Sequence, residues 1–221
     1  MLLSAWATTW GATAGCATGG AVPTLPPPIP EVVAANEAAG DPYGGRFPLE
    51  EALAGLPAAG ALHAVLVTDD GEIDCTLDPV HAPLSVASFV GLARGVRPFL
   101  AADGQWHTEP YYVDLPWHRA EDGQFVQTGQ RTGQDTGGFT LQDEVSYGDS
   151  FDRAGVLAMA NTGQPHSGSV EFFVTTGPAP HLEGAHTILG QCDGEAVARR
   201  VEQRVVRGET PRLLRIDVTR Q

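Results

Sequence analysis

The sequence predicts a mainly β fold, a closed eight-stranded antiparallel barrel capped by two helices. Three observations lead there. Eight short segments between residues 61 and 219 carry β-branched, aromatic or alternating apolar residues and are separated by Gly, Pro and Asp turns. Two further segments place apolar residues at helical spacing, and strand-like segments stand at both ends of this region. Closure of such strands into a barrel removes the exposed edges that would otherwise pair with other chains.

Residues 1–57 are expected to be a leader and tether, and residues 58–221 the folded domain. The opening MLLSAWATTWGATAGCATGG carries no charge and resembles the apolar and small-residue parts of a bacterial export signal. Its Ala14-Gly15-Cys16 matches the end of a lipobox, although Thr13 stands where leucine is usual and no basic stretch precedes it. The expected location is therefore the cell envelope, exported or anchored to the membrane through a lipidated Cys16, with a cytoplasmic chain as the alternative. Pro23, Pro26, Pro27, Pro28 and Pro30 favour extended geometry and withhold amide donors. The following Ala-, Gly- and Pro-rich stretch has no sustained apolar period, so residues 17–57 are expected to be mostly unstructured.

The domain opens with ALHAVLVTDDGEIDCTL, two strands around an Asp-Asp-Gly turn. Pro83 starts a helix with Leu84, Ala87 and Val90 on one face, and Gly95 stops it. Residues 96–116 read as a long irregular loop that could extend a groove wall with Trp106, Tyr111 and Tyr112. Strands are expected at WHR, FVQTG, GVLAMA, EFFVTT, HTILGQC and LLRIDVT. A second helix is expected at GEAVARRVEQRV, where Val197, Val201 and Val205 fall four apart.

Charge excludes some partners. Thirteen arginines and no lysine face 27 acids for a net charge of -14, and no run mixes basic and aromatic residues as nucleic-acid surfaces do. Nucleic acid is excluded as a partner on these grounds, and a monomer is expected. Seven arginines crowd the last 23 residues, where pairing with the acidic remainder is expected, with a docking patch as the alternative. Cys75 and Cys192 read as one disulfide or as two small buried thiols. No cysteine–histidine spacing points to a metal, and no cofactor is expected. Ser167 and Ser169 lie near His166 but lack the G-x-S-x-G elbow of a hydrolase.

Four ordered motifs remain. Trp117-His118-Arg119 is followed by Gln127, eight residues after the arginine; then come Met159-Ala160-Asn161, Phe172-Phe173, and His181-Leu182-Glu183-Gly184-Ala185-His186 with Gly190. In these motifs the region from about residue 61 to 219 resembles the cyclophilin-type peptidyl-prolyl cis-trans isomerases of bacteria. The resemblance implies rotation about X-Pro bonds of unfolded or exposed polypeptides, with Arg119 and Gln127 as the catalytic pair. It further implies a proline cup from Phe125, Phe173, Leu182 and Leu189, backbone pairing at Asn161, and His186 on the rim. His118, adjacent in the strand, is expected to face away from Arg119 and make a structural hydrogen bond.

The departures from that pattern are equally specific. Trp117 replaces phenylalanine and needs a partner for its indole N–H. Gln124 and Leu189 stand where the family has pocket phenylalanines, and Phe125 where it has methionine, which implies a wider, less aromatic cup. His181 replaces the tryptophan that contacts cyclosporin in eukaryotic members. Glu171 replaces a glutamine and would either hold Arg119 in a bidentate pair or draw it away from substrate. Gln124, Leu189 and Glu171 together favour the alternative, a proline-peptide-binding or chaperone-like module with little turnover.

Overall fold

The structure is a computed structural model that describes residues 24–131, 137–146 and 149–221. The leader and Cys16 lie outside the described residues. The fold is mainly β, with strands β1 (Leu62–Thr68), β2 (Gly71–Leu77), β3 (Phe99–Leu100), β4 (Trp106–His107), β5 (Leu115–Pro116) and β6 (Arg119–Glu121). They are followed by β7 (Phe125–Thr128), β8 (Val156–Met159), β9 (Phe172–Thr175), β10 (Ile188–Asp193) and β11 (Arg212–Arg220). Nine of them form one sheet in the order β5-β11-β1-β2-β10-β8-β9-β7-β6, and β3 pairs with β4 separately.

This corrects the expected closed eight-stranded ladder. The strand expected at Trp117–Arg119 does not form as one: Trp117 and His118 link β5 to β6, which begins at Arg119, and these two strands occupy opposite ends of the order. Pro116 has no N–H to continue the β5–β11 ladder. The next residues change partner: Trp117 N–H donates to Pro211 O at 2.9 Å, and His118 N–H to Gln127 O at 3.2 Å. The two end strands are consecutive in the chain, so the sheet curls until its ends adjoin at this link.

Period-two alternation explains the interior. Leu62, Ala64, Leu66, Ile73, Cys75 and Leu77 all point inward from the first hairpin. They meet helix α3 (Pro83–Arg94), whose residues are buried from Pro83 through Ala93. A helix buried all round must be covered on both sides. The sheet supplies one cover, and residues before the first strand supply the other.

Here the expected tether is corrected for its described part. Pro30 starts and Gly40, at φ 87°, ends a helix α1 (Pro30–Ala39), and a short α2 (Leu49–Leu53) packs on α3. Phe47 is buried against Gly91, where a Cβ would lie 2.6 Å from the Phe47 ring. The strongest tie is polar. Arg97 and Asp41, both with fully buried side chains, pair through Nη1 (3.3 Å) and Nη2 (3.1 Å). The Arg97 Nε–H donates to Ser88 Oγ at 3.0 Å, and Phe139 stacks 3.7 Å from the guanidinium carbon. Asn36 adds a two-way bond, donating to Thr140 O (3.0 Å) and accepting from Thr140 N–H (2.7 Å).

Cys75 and Cys192 are directly opposed on β2 and β10 and form a disulfide across 117 residues of sequence. Helix α4 (Glu195–Val206) lies where expected, with Val201 buried and Val197 and Val205 packed on the core. The arginine tail pairs internally: Arg204 with Asp70 and Glu209, Arg212 with Asp114, Arg215 with Asp217. Tyr111 and Tyr112 are not groove residues; both are buried, perpendicular to one another, in the main core. Trp117 is also buried, and among the described residues its indole N–H has no hydrogen-bond partner. No helix among the described residues is long and apolar enough to cross a membrane.

Candidate active site

The hairpin of β6 and β7 places Arg119 directly opposite Gln127. The Arg119 Nη1–H donates to Gln127 Oε1 at 2.9 Å, and the Gln127 amide donates to Glu171 Oε2 at 2.7 Å. Only one amide orientation satisfies both neighbours, because the guanidinium can only donate and the carboxylate only accept. His118 Nε2 reaches the same carboxylate oxygen at 3.2 Å. Glu171 therefore neither clamps Arg119 nor draws it off; Gln127 stands between them. Burial would raise the Glu171 pKa, but hydrogen bonds from His118 and Gln127 and the nearby positive charges outweigh it and lower the pKa. The carboxylate stays ionised at neutral pH and fixes the amide that holds the arginine.

Arg119 is exposed, with its guanidinium carbon 4.9 Å from the Phe125 ring centre. Phe125 begins a small apolar cluster separate from the main core. Phe173 sits 5.2 Å from Phe125, 6.0 Å from Phe151 and 5.3 Å, edge-on, from His186, and Leu182 and Ile188 pack against the group. His186 Nδ1 lies 2.9 Å from Met159 O, so Nδ1 carries the proton. Burial lowers the His186 pKa despite that bond, which keeps the ring neutral at pH 7. A permanent cation thus stands at the lip of an aromatic cup with no ionised group among these cup residues.

A family model of the cyclophilin type peptidyl-prolyl cis-trans isomerases matches residues 63–220. The chain belongs to this family. Peptidyl-prolyl cis-trans isomerase B of Streptomyces anulatus is 37% identical over 157 residues, 70% of this chain and 89% of the relative. Peptidyl-prolyl cis-trans isomerase A of Mycobacterium tuberculosis is 39% identical over 131 residues, 58% of this chain and 71% of the relative. A cyclophilin-type isomerase of Cryptosporidium parvum, at 21% identity, shares the fold with a TM-score of 0.59 over 73% of this chain and 99% of that one. A second structure of it, in the presence of the dipeptide Ala-Pro, gives 0.58 over 72% of this chain and 99% of that one. The enzyme is a cyclophilin-type peptidyl-prolyl cis-trans isomerase.

Two expected cup residues of this cyclophilin lie elsewhere. Leu189 is fully buried in the main core, and Ile188 takes its place at the cup. The cause is a register shift between Ile188 and Gly190, which reverses the alternation that would carry Leu189 to the cup from Cys192. Gln124 points into the hairpin turn, where its amide donates to Glu121 at 3.1 Å. Its backbone N–H is shared between Glu121 O at 2.9 Å and the buried Glu202 of α4 at 3.2 Å. Phe151 was missed, since it lies in an irregular segment before β8 that has no period to read. Its ring restores aromatic character to the cup.

Asn161 spends its side chain locally, donating to Ala185 O (2.7 Å) and accepting from Gly163 N–H (3.0 Å). Beside it opens a cavity of about 900 Å³, bordered among the described residues by Gln127, Glu171, Leu100, Phe139 and, from α1, Ala35 and Ala39. The four motifs give no hint of this wall, because α1 precedes the segment that carries them. No group of three or more His, Cys, Asp or Glu side chains among the described residues could hold a metal.

Proposed function

We propose that Arg119 is the catalytic residue of this isomerase, held in place by Gln127 on Glu171, and that the cup of Phe125, Phe151, Phe173, Leu182 and His186 grips the proline ring. Amide resonance gives the X-Pro bond a rotation barrier of roughly 18–20 kcal/mol. As the bond twists, the prolyl nitrogen loses resonance and gains lone-pair character. A donor aimed there stabilises the twisted state more than either planar one. Arginine remains charged throughout and offers several donors, so no proton needs to move. The cup holds one side of the bond while the residue before proline, paired at the Asn161 backbone, turns with the other.

The observation that carries this reading is the chain of bonds from Arg119 through Gln127 to Glu171, beside an aromatic cup. The alternative of a peptide-binding module loses its support, because Gln124 and Leu189 lie outside the cup and Glu171 acts through Gln127. Arg119→Ala, shown to be folded, should slow catalysis of proline-limited refolding by roughly a hundredfold. Undiminished acceleration would overturn the assignment.

The substrates are exposed X-Pro segments of unfolded proteins outside the cytoplasm. The lipobox-like Ala14-Gly15-Cys16 supports export and anchoring through Cys16, and the disulfide is at home in an oxidising compartment. A net charge of -14 supports a monomer, since like charge keeps copies apart. Fractionation of the source cells tests the location: recovery in the cytoplasm would contradict it.

A further inference from the structure

We propose that α1 is a substrate-selecting wall, and that the cavity between it and Glu171 receives a lysine or arginine side chain of the polypeptide being isomerised. This rests on the reading that the X-Pro bond lies across Arg119. The helix lies outside residues 63–220, which match the family, yet it is bound to the domain by Asn36 on Thr140 and, just past its end, by Asp41 on Arg97. Ala35 and Ala39 are four residues apart, on one face of the helix, and both border the cavity. Their small side chains leave the space open.

The cavity is continuous with the isomerase site. Gln127 belongs both to it and to the bonds that hold Arg119, and Ala160 belongs both to it and to the cup cluster. Asn161, where the residue before proline would pair, also borders it. A polypeptide with its proline in the cup therefore meets α1 with residues on the amino-terminal side of that proline.

The lining selects the chemistry. Ala35, Ala39, Leu100 and Phe139 offer apolar surface, and among the described residues bordering the cavity Glu171 is the charged one. Its hydrogen bonds to His118 and Gln127 both fall on Oε2, which among the described residues leaves Oε1 for another donor. A long aliphatic stem with a cationic head matches an apolar wall that ends in a carboxylate. The overall charge of -14 attracts such a segment and repels an acidic one.

The test uses the full chain and proline peptides that carry lysine, norleucine or glutamate at the second or third position before proline. Catalysed exchange is measured by NMR. The lysine peptide should exceed the norleucine peptide in kcat/KM by roughly fivefold, with glutamate lowest. Ala39→Trp, which fills the cavity from an exposed position, should level the series while leaving an Ala-Pro dipeptide unaffected; Ala35→Leu should act in the same direction. Glu171→Gln should erase the lysine advantage. Equal acceleration of all three peptides by the wild type, or an unchanged ranking in Ala39→Trp, would overturn the proposal alone. Acceleration of none would overturn the reading of Arg119 as well.

Discussion

Two regions of this cyclophilin are held in different ways. The sheet and α3, residues 62 to 220, bury alternating apolar side chains around one interior, with Leu66, Ile73, Phe89 and Phe172 fully enclosed. The segment before them, residues 24 to 57, adds Phe47 and Ala52 to that interior, with Tyr43, Leu49, Leu53 and Leu56 partly covered, and is also tied by buried polar contacts, Asp41 on Arg97 and Asn36 on Thr140. Apolar burial is spread over many residues and tolerates small changes. A buried ion pair concentrates its effect, because loss of one partner leaves the other charged and without water.

The largest effect should come from breaking that pair. Asp41→Ala should destabilise the protein by about 3–5 kcal/mol, since it strands the Arg97 charge under Phe139. Asp41→Ala combined with Arg97→Met should recover much of the loss, measured by denaturant unfolding. If the single variant is as stable as the wild type, the N-terminal segment is not fastened as described. Hydrogen exchange on the same variant sharpens the contrast, with amides of α1 losing protection before those of β1 and β2.

A smaller effect is confined to residues 62 to 220 and depends on pH. The His186 pKa is lowered by burial in the cup, so its contribution to stability is complete above the ordinary histidine value of about 6.5. That contribution is lost as pH falls from there through the lower folded value. Glu171 has the same sign at more acidic pH: its lowered pKa preserves its contribution above the ordinary glutamate value of about 4.3, with loss below. Stability should therefore fall first between neutral and mildly acidic pH, and His186→Phe should abolish that first step. A first step unchanged in His186→Phe would assign it to another group.

The same contrast explains what the sequence disclosed. Alternation and helix stop signals located the long strands and both helices of the domain, and the four motifs led to Arg119, Gln127, Phe125, Phe173 and His186. The residue-by-residue match to the family misplaced Leu189, because a local register shift exchanges the faces of neighbouring residues. The single strand expected at Trp117–Arg119 failed because that stretch of chain pairs first with β11 and then with β7. In residues 30 to 40 the boundary signals Pro30 and Gly40 were present, but α1 has no apolar stripe. Its docking depends on Asn36 and Asp41, whose partners Thr140 and Arg97 are 104 and 56 residues away. No local pattern reports such a pairing.

In the proposed mechanism Gln127 acts through Arg119. A double-mutant cycle on catalysed exchange of an Ala-Pro peptide tests it most directly, with Arg119→Ala, Gln127→Leu and the combined variant each shown to be folded. Arg119→Ala should cost roughly a hundredfold in kcat/KM and Gln127→Leu roughly tenfold, while the combined variant should be no slower than Arg119→Ala alone. Losses that multiply in the combined variant would show that the two residues act independently and would contradict the account.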